Sequence, residues 1–332
     1  MTLPDRLQEG DTIGVVAPSR SLSLIDKKWI ANARDFFVQR GIGVRFSKHC
    51  FENWHGNGGT VEQRVSDLME MFDDRRIKAL VTAIGGYNSN QLLEHLDYEV
   101  IRKNPKIFIG YSDITALSSA IHAKTGLITF SGPHFSTLGE PFPFDYTIKY
   151  FDDLLLKAKP DVEVTESDTF AEDDWYVNTA DLQPRILQKN PGWRIHREGQ
   201  AEGELVGGNI VTLSALIGTD YLPDTKGKIL FLEDCAETNA AEVDRALTQL
   251  RQIGIFKKIR GLMMGRFPTT VGFDEQRPIN ELLLRVTEGY DIPVISGVDF
   301  GHTEPMVTLP IGVPCVMDTV KRKIRYLTPA VI

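Results

Sequence analysis

The chain has 332 residues, 42% of them hydrophobic and 25% charged, with a formal net charge of -8. That length exceeds one average domain and the composition is globular, while the acidic balance argues against a nucleic acid polymer as partner, because phosphate backbones recruit basic faces. No apolar run reaches the roughly 18 residues of a membrane-spanning helix. The N-terminal MTLPDRLQEGDTIGVV lacks the pattern of a secretory signal, and Cys50, Cys235 and Cys315 form no CxxC pair, so a cytoplasmic protein without a membrane partner is expected. A small nucleotide held in a pocket is compatible with all of this.

In chain order, the strand TIGVVAP is followed by a helix from about Asp26 that ends near Gly41, and by a short strand at GVRFS. A Gly-rich loop, HCFENWHGNGG, leads to Thr60 and Gln63, whose spacing is that of a capping box opening a helix through Leu68 and Phe72. Strand ALVTAIGG, a short helix, strand KIFIGY, a helix after Ser112 and strand LITFSG complete an alternation that means βαβ units. The fold class is therefore α/β, a doubly wound parallel sheet with both faces covered. After about Asp161 the texture changes. Residues 163–198 are polar, acidic and rich in tryptophan without a sustained period, which reads as a linker with a functional insertion. The domain reading is thus 1–160, a linker over 161–198, and a second α/β domain over 199–332. That last part opens with GGNIVTLSALIG, read as a glycine turn and short helix. It continues with strand KILFLED, a helix over Ala240–Gln252, strand IRGLMMGRF, a helix near Ile279–Thr287, strand PVISGVDF and short terminal strands.

The corner at KIFIGYSDITAL raises the question of chemistry. A serine between a buried strand and a helix serves equally as a helix cap or as a nucleophile presented on a tight turn, and the corner alone leaves both open. A nucleophile needs a base. His95, His122 and His134 lie in helical or flanking segments, where structural roles are expected, and His49, His55 and His196 lie in polar loops, where solvation is expected. His302 instead ends the strand-like run VISGVDFGH, the position at which α/β domains place functional groups. An orienting acid is offered by Glu233 at the end of KILFLE, where a buried carboxylate requires a partner such as an imidazole N–H. Gly85 and Gly86 follow a strand and are placed to turn backbone N–H groups toward Ser112. Together with the N–H of Asp113 they would form an oxyanion hole. There is no GxGxxG, Walker or HExxH pattern, and the histidines are scattered, so no cofactor and no metal are expected. Glu237 is either a helix-capping acid or a residue supporting the site.

Six ordered stretches, GDTIGVVAPS, IGGYNSNQLL, IGYSDITAL, GELVGGNIVTLSALIGT, ILFLEDCAE and FGHTEPMVTLPIG, resemble the LD-carboxypeptidase family of serine peptidases over nearly the whole chain. The resemblance implies a flavodoxin-like N-terminal domain and a smaller C-terminal α/β domain of the swivelling β/β/α type, with the site between them. It implies a Ser112-Glu233-His302 triad, an oxyanion hole from the Gly86 and Asp113 amides, and a homodimer. Two branches offer themselves. Muramoyl-tetrapeptide carboxypeptidases remove a terminal D-alanine, whereas microcin C self-immunity peptidases cleave the amide-type bond between an aminoacyl or peptidyl group and a nucleotide. The second branch is similar in carrying an aromatic-bearing insertion, here the segment with Trp175, Tyr176 and Trp193. The sequence CAETNAAEVDRAL also lacks the Pro-aromatic pair of many cell-wall enzymes. A small-molecule substrate is expected, with Gly85, Tyr87, Asn88, Trp175 and Trp193 as its contacts. A non-catalytic flavodoxin-like binder of small ligands is the rival from another class.

Overall fold

The computed structural model describes residues 1–173 and 184–332. Five short apolar runs form β1 (Thr12–Val16), β2 (Gly43–Phe46), β3 (Ile77–Thr82), β4 (Ile107–Gly110) and β5 (Thr129–Ser131). They are parallel and lie in the order β2-β1-β3-β4-β5, which is the flavodoxin-like doubly wound arrangement. Alternate residues of one strand enter different cores: Ala79, Val81, Ile107 and Ile109 join one apolar cluster, while Leu80 and Phe108 join the other. Such two-sided burial is why these strands read as continuous apolar runs. Helices Lys27–Val38 and Asp145–Leu155 cover the first face through Phe37 and Phe151; Val61–Asp73 and Thr115–Thr125 cover the second through Phe72 and Leu117. The capping box at Thr60 and Gln63 forms as expected.

The remaining strands are β6 (Val162–Val164), β7 (Thr169–Phe170), β8 (Gln188–Lys189), β9 (Arg194–Arg197), β10 (Gln200–Asn209), β11 (Ile229–Glu233), β12 (Gly261–Gly265), β13 (Val294–Val298), β14 (Leu309–Ile311), β15 (Pro314–Asp318) and β16 (Lys323–Tyr326). An eight-stranded sheet runs β6-β16-β15-β10-β11-β12-β13-β9, with β10 to β13 parallel to one another. β7 and β8 make a separate two-stranded ribbon. The stretch read as linker therefore supplies both edges of the second sheet, β6 and β9. Conversely, β14 crosses back to pair antiparallel with β5 in the first sheet. Short edge strands carry little periodicity of their own, so nothing local marks which sheet they join.

Gly207 and Gly208, read as a turn, instead lie inside β10. Their φ values of +146° and +143° are ones L side chains rarely adopt, and the reason is proximity. A Cβ on Gly207 would stand 1.8 Å from the Phe231 carbonyl oxygen, and one on Gly208 would stand 2.4 Å from Thr115 Oγ1. The Thr115 hydroxyl oxygen in turn accepts a hydrogen bond from the Asn209 N–H at 3.0 Å. The helix that follows Ser112 is thereby seated directly on the second sheet.

Gly207→Ala should therefore lower folding stability by roughly 2–5 kcal/mol, combining a strained φ with a backbone clash. Urea denaturation of the variant measures it; a loss below about 1 kcal/mol would mean the strand pair relaxes without strain.

Candidate active site

The parallel strands of both sheets end on one cleft of about 310 Å³, within the size range of small-molecule sites. Ser112 stands at its floor with φ +60°, a left-handed value for a non-glycine residue. It opens a short 3₁₀ turn, Ser112–Ile114, and no side-chain cap bond is made at the start of that turn or of the helix beginning at Thr115. The serine is not there as a cap. The turn is held from behind by the Asp113 carboxylate, whose Oδ2 accepts from Ser19 Oγ at 2.5 Å and from the backbone N–H groups of Asn88 and Ser89 at 3.0 and 2.9 Å. The Ser89 hydroxyl donates to the Asp113 carbonyl at 2.6 Å. One buried acid thus ties the loops after β1 and β3 to the serine corner. Gly85 passes so close that a Cβ there would lie 2.9 Å from Ser112 Cβ, which is the physical requirement for glycine at that position.

His302 follows β13 and Glu233 is the last residue of β11, so the second sheet brings both to the serine. The imidazole Nδ1 lies 2.6 Å from Glu233 Oε2 and its Nε2 lies 3.1 Å from Ser112 Oγ. With Nδ1–H donating to the carboxylate, Nε2 carries the lone pair that accepts the serine proton. Burial by itself would lower the His302 pKa. The Glu233 carboxylate, by charge and by hydrogen bond, outweighs it with help from Asp234 and Glu237, and the pKa rises above its ordinary value. Asp234 accepts from Asn209 Nδ2 and from the Cys235 N–H, and burial beside Glu233 pushes it up to about 6.

His134, expected in a structural role, lies 2% exposed in the cleft wall. Its Nδ1 is 2.8 Å from Thr82 Oγ1, which donates to the Ile109 carbonyl, so Nδ1 bears the proton and Nε2 is a bare acceptor. Burial, then the proximity of His302, lowers its pKa to about 3 and keeps it neutral. At the far end Arg185 binds Asp173 through Nε at 3.0 Å and reaches Glu140 and Glu304 through Nη1. Burial, and then the charge of Glu304, push Glu140 up to about 9. Arg20, Tyr111, His134, Arg185 and Glu304 were not legible as site residues. They come from five separate loops, and although Tyr111 and Glu304 fall in stretches that carry the family resemblance, no local pattern gives any of the five a role. Among the described residues no three His, Cys, Asp or Glu side chains converge to hold a metal ion.

Of the expected contacts, Gly85 and Tyr87 line the cleft, as does Gly86, expected as an oxyanion donor, with the Arg20 guanidinium 5.2 Å from the Tyr87 ring centroid. Asn88 does not line it: its side-chain oxygen accepts from Arg64 Nη1 and its N–H is taken by Asp113. Trp193 is a second correction. It is 4% exposed inside the apolar core beside β9, because an indole next to an edge strand gains more from burial than from solvent. Trp175 and Tyr176 lie outside the described residues. Glu237 lines the cleft and does not cap the following helix, whose cap is Asn239. His49 and His196, expected to be solvated, are instead bonded to Asp67 and Ser296.

Residues 13–132 match the family model of the LD-carboxypeptidase N-terminal domain, and residues 202–317 match that of the C-terminal domain. A putative carboxypeptidase of Treponema pallidum is 40% identical, with 92% of this chain and 89% of that protein covered. A probable murein peptide carboxypeptidase of Bacillus subtilis is 36% identical over 96% and 92% of the two chains. The microcin C7 self-immunity protein MccF of Escherichia coli is 34% identical over 94% and 92%. Among solved structures, an MccF-like protein from Bacillus anthracis superposes with a TM-score of 0.93 at 40% identity, covering 99% of this chain and all of that one. MccF in complex with aspartyl sulfamoyl adenosine superposes at 0.92 and 33% identity over the full length of both.

The His302 titration should report its carboxylate partner. By NMR the imidazole of the intact protein should titrate above the ordinary value of about 6.5, and clearly lower in Glu233→Gln, because burial is then opposed only by Asp234 and Glu237. An unchanged midpoint in that variant would dissociate the two groups.

Proposed function

The chain belongs to the LD-carboxypeptidase family and is a hydrolase of peptide-type bonds; from that premise we propose that it cleaves the amide-type link between an aminoacyl or peptidyl group and a nucleotide, using Ser112, Glu233 and His302 as a triad. The observation that carries the mechanism is the continuous relay of 3.1 Å and 2.6 Å from Ser112 Oγ through the imidazole to Glu233. His302 Nε2 takes the serine proton as Oγ bonds to the scissile carbonyl carbon. The backbone N–H groups of Gly86 and Asp113 receive the oxyanion. The imidazolium then protonates the departing nitrogen as the C–N bond breaks, leaving an ester on Ser112. Water attacks that ester, giving one proton to His302 and, through it, restoring the serine hydroxyl. Glu233 stays ionised throughout and steadies the imidazolium.

The substrate class is supported by likeness to MccF, solved with aspartyl sulfamoyl adenosine and with glutamyl sulfamoyl guanosine. A second reading, release of the terminal residue from a murein peptide, is supported by the 36% identity to the probable murein peptide carboxypeptidase.

The two readings separate in one assay, in which an aminoacyl sulfamoyl adenosine and an L,D-tetrapeptide ending in D-alanine are incubated side by side and the products read by mass spectrometry. Cleavage of the adenosine compound alone is the expected result; release of D-alanine alone would transfer the protein to cell-wall peptides. Ser112→Ala should lower turnover by roughly 10⁴-fold or more while leaving thermal unfolding intact, and wild-type turnover in that variant would remove the serine from the mechanism.

A further inference from the structure

The cleft is short of positive charge. Two arginines and four carboxylates line it: Arg20 and Arg185 against Glu172, Asp173, Glu237 and Glu304. Arg185 is already taken by Asp173, Glu304 and the buried Glu140. Glu172 is satisfied by neutral donors, the Thr269 N–H and hydroxyl and the Gln188 amide. That leaves two cleft charges, Arg20 and Glu237, that make no ion pair among the described residues. Residues 174–183, DWYVNTADLQ, contain no lysine, arginine or histidine, so they bring no cation to Glu237 either.

Glu237 is held without being neutralised. The Cys235 thiol and its own backbone N–H bond its carboxylate and keep it ionised, with smaller help from the charges of His302 and Arg20, neither of which bonds it directly. Glu237 follows Glu233, the partner of His302, by four residues and lines the cleft together with His302 and Ser112, so it belongs to the same end of the cleft as the reacting bond. A carboxylate so placed repels an anionic group and favours a cationic one, and water exclusion on substrate binding strengthens that preference. Arg20 lies beside the Gly86 turn, where a Cβ on Gly86 would come 3.0 Å from its Cγ.

We propose that Glu237 is a specificity residue that selects acyl groups with a cationic side chain, such as lysyl or arginyl, and rejects aspartyl and glutamyl groups. The assignment to the acyl side rests on the nucleotide reading above. There the leaving side carries a phosphate-like group, which the Glu237 carboxylate would repel and which the Arg20 guanidinium, in no ion pair among the described residues, would attract. This protein would then differ in acyl preference from the relative solved with acidic aminoacyl conjugates.

The test uses diphenyl α-aminoalkylphosphonates with the side chains of lysine and glutamate. Ser112 Oγ bonds to phosphorus and a phenoxide leaves, the serine proton going to His302, so the label reads acyl-side selection whatever the natural leaving group. The ratio of labelling rates, lysine over glutamate, is independent of the fraction of protein that is folded. In the wild-type chain it should be roughly tenfold or more. Glu237→Gln should bring it toward one, and Glu237→Lys should invert it. A wild-type ratio near one, or a ratio that Glu237→Lys leaves unchanged, would overturn the proposal. Failure of the nucleotide reading shows elsewhere, as a lysyl sulfamoyl adenosine left intact by a protein whose Ser112 is labelled by the lysine-type phosphonate.

Discussion

The contact on which everything else depends is the seam between the two sheets at Thr115 and β10. The proposed nucleophile is carried by the first sheet, and its two partners by the second. A relay of hydrogen bonds about 3 Å long tolerates little drift between them. Gly208 lets the first turn of the helix after Ser112 touch the backbone of β10, and the Asn209 N–H fastens that contact to Thr115. Asn209 stands opposite Glu233 in the β10–β11 register, and its side chain bonds Asp234. Three residues of strand pairing thus connect the serine corner to the acid. β14, which crosses back into the first sheet after the His302 loop, ties the same halves from the other end.

A second constraint is electrostatic. The chain places several acids where water does not reach, and each is answered differently. Glu233 is 2% exposed and is answered by the imidazole on one oxygen, its other oxygen having no hydrogen-bond partner among the described residues. A carboxylate in that condition gains from every increment of positive charge on His302, which is the state the base enters when it takes a proton. Asp113 is answered by three neutral donors, with the buried Arg64 nearby, whose own bonds go to the Pro18 carbonyl, Asn88 and Gln91. That network holds Ser112 in its left-handed conformation, since removing it would leave both a strained turn and an unpaired buried charge. His134 serves the same wall by remaining neutral. A second imidazolium beside His302 would weaken the base that the relay requires.

Much of the layout was readable from local pattern. Continuous apolar runs bounded by glycine gave the parallel strands, because strands buried on both faces have no polar side to show. The capping box at Thr60 and the helix over Ala240–Gln252 fell where their spacing placed them, since caps act within one turn of chain. Ser112, Glu233 and His302 were singled out because strand ends in α/β sheets open toward solvent and ligands. The family likeness then named their roles.

What local pattern lacked was partnership across sequence. Gly207 and Gly208 looked like a turn because glycine signals freedom of backbone, and only the approach of Phe231 and Thr115 shows that they are needed for closeness within a strand. Trp193 looked like a ligand contact because its segment resembles an aromatic-bearing insertion, yet tertiary packing placed it in the core. His134 was read as bland and Glu237 was left open between a cap and a supporting residue, because what matters for them lies fifty or more positions away, Thr82 for one and His302 for the other. The sequence alone determined the buried parallel strands and longer helices, the fold class and the chemistry-bearing strand ends, because these follow from periodicity and spacing along the chain. Which side chains share the cleft, which charges there go unanswered and how the two sheets are fastened were decided only by the tertiary structure, because burial and Coulomb interactions depend on distance in space.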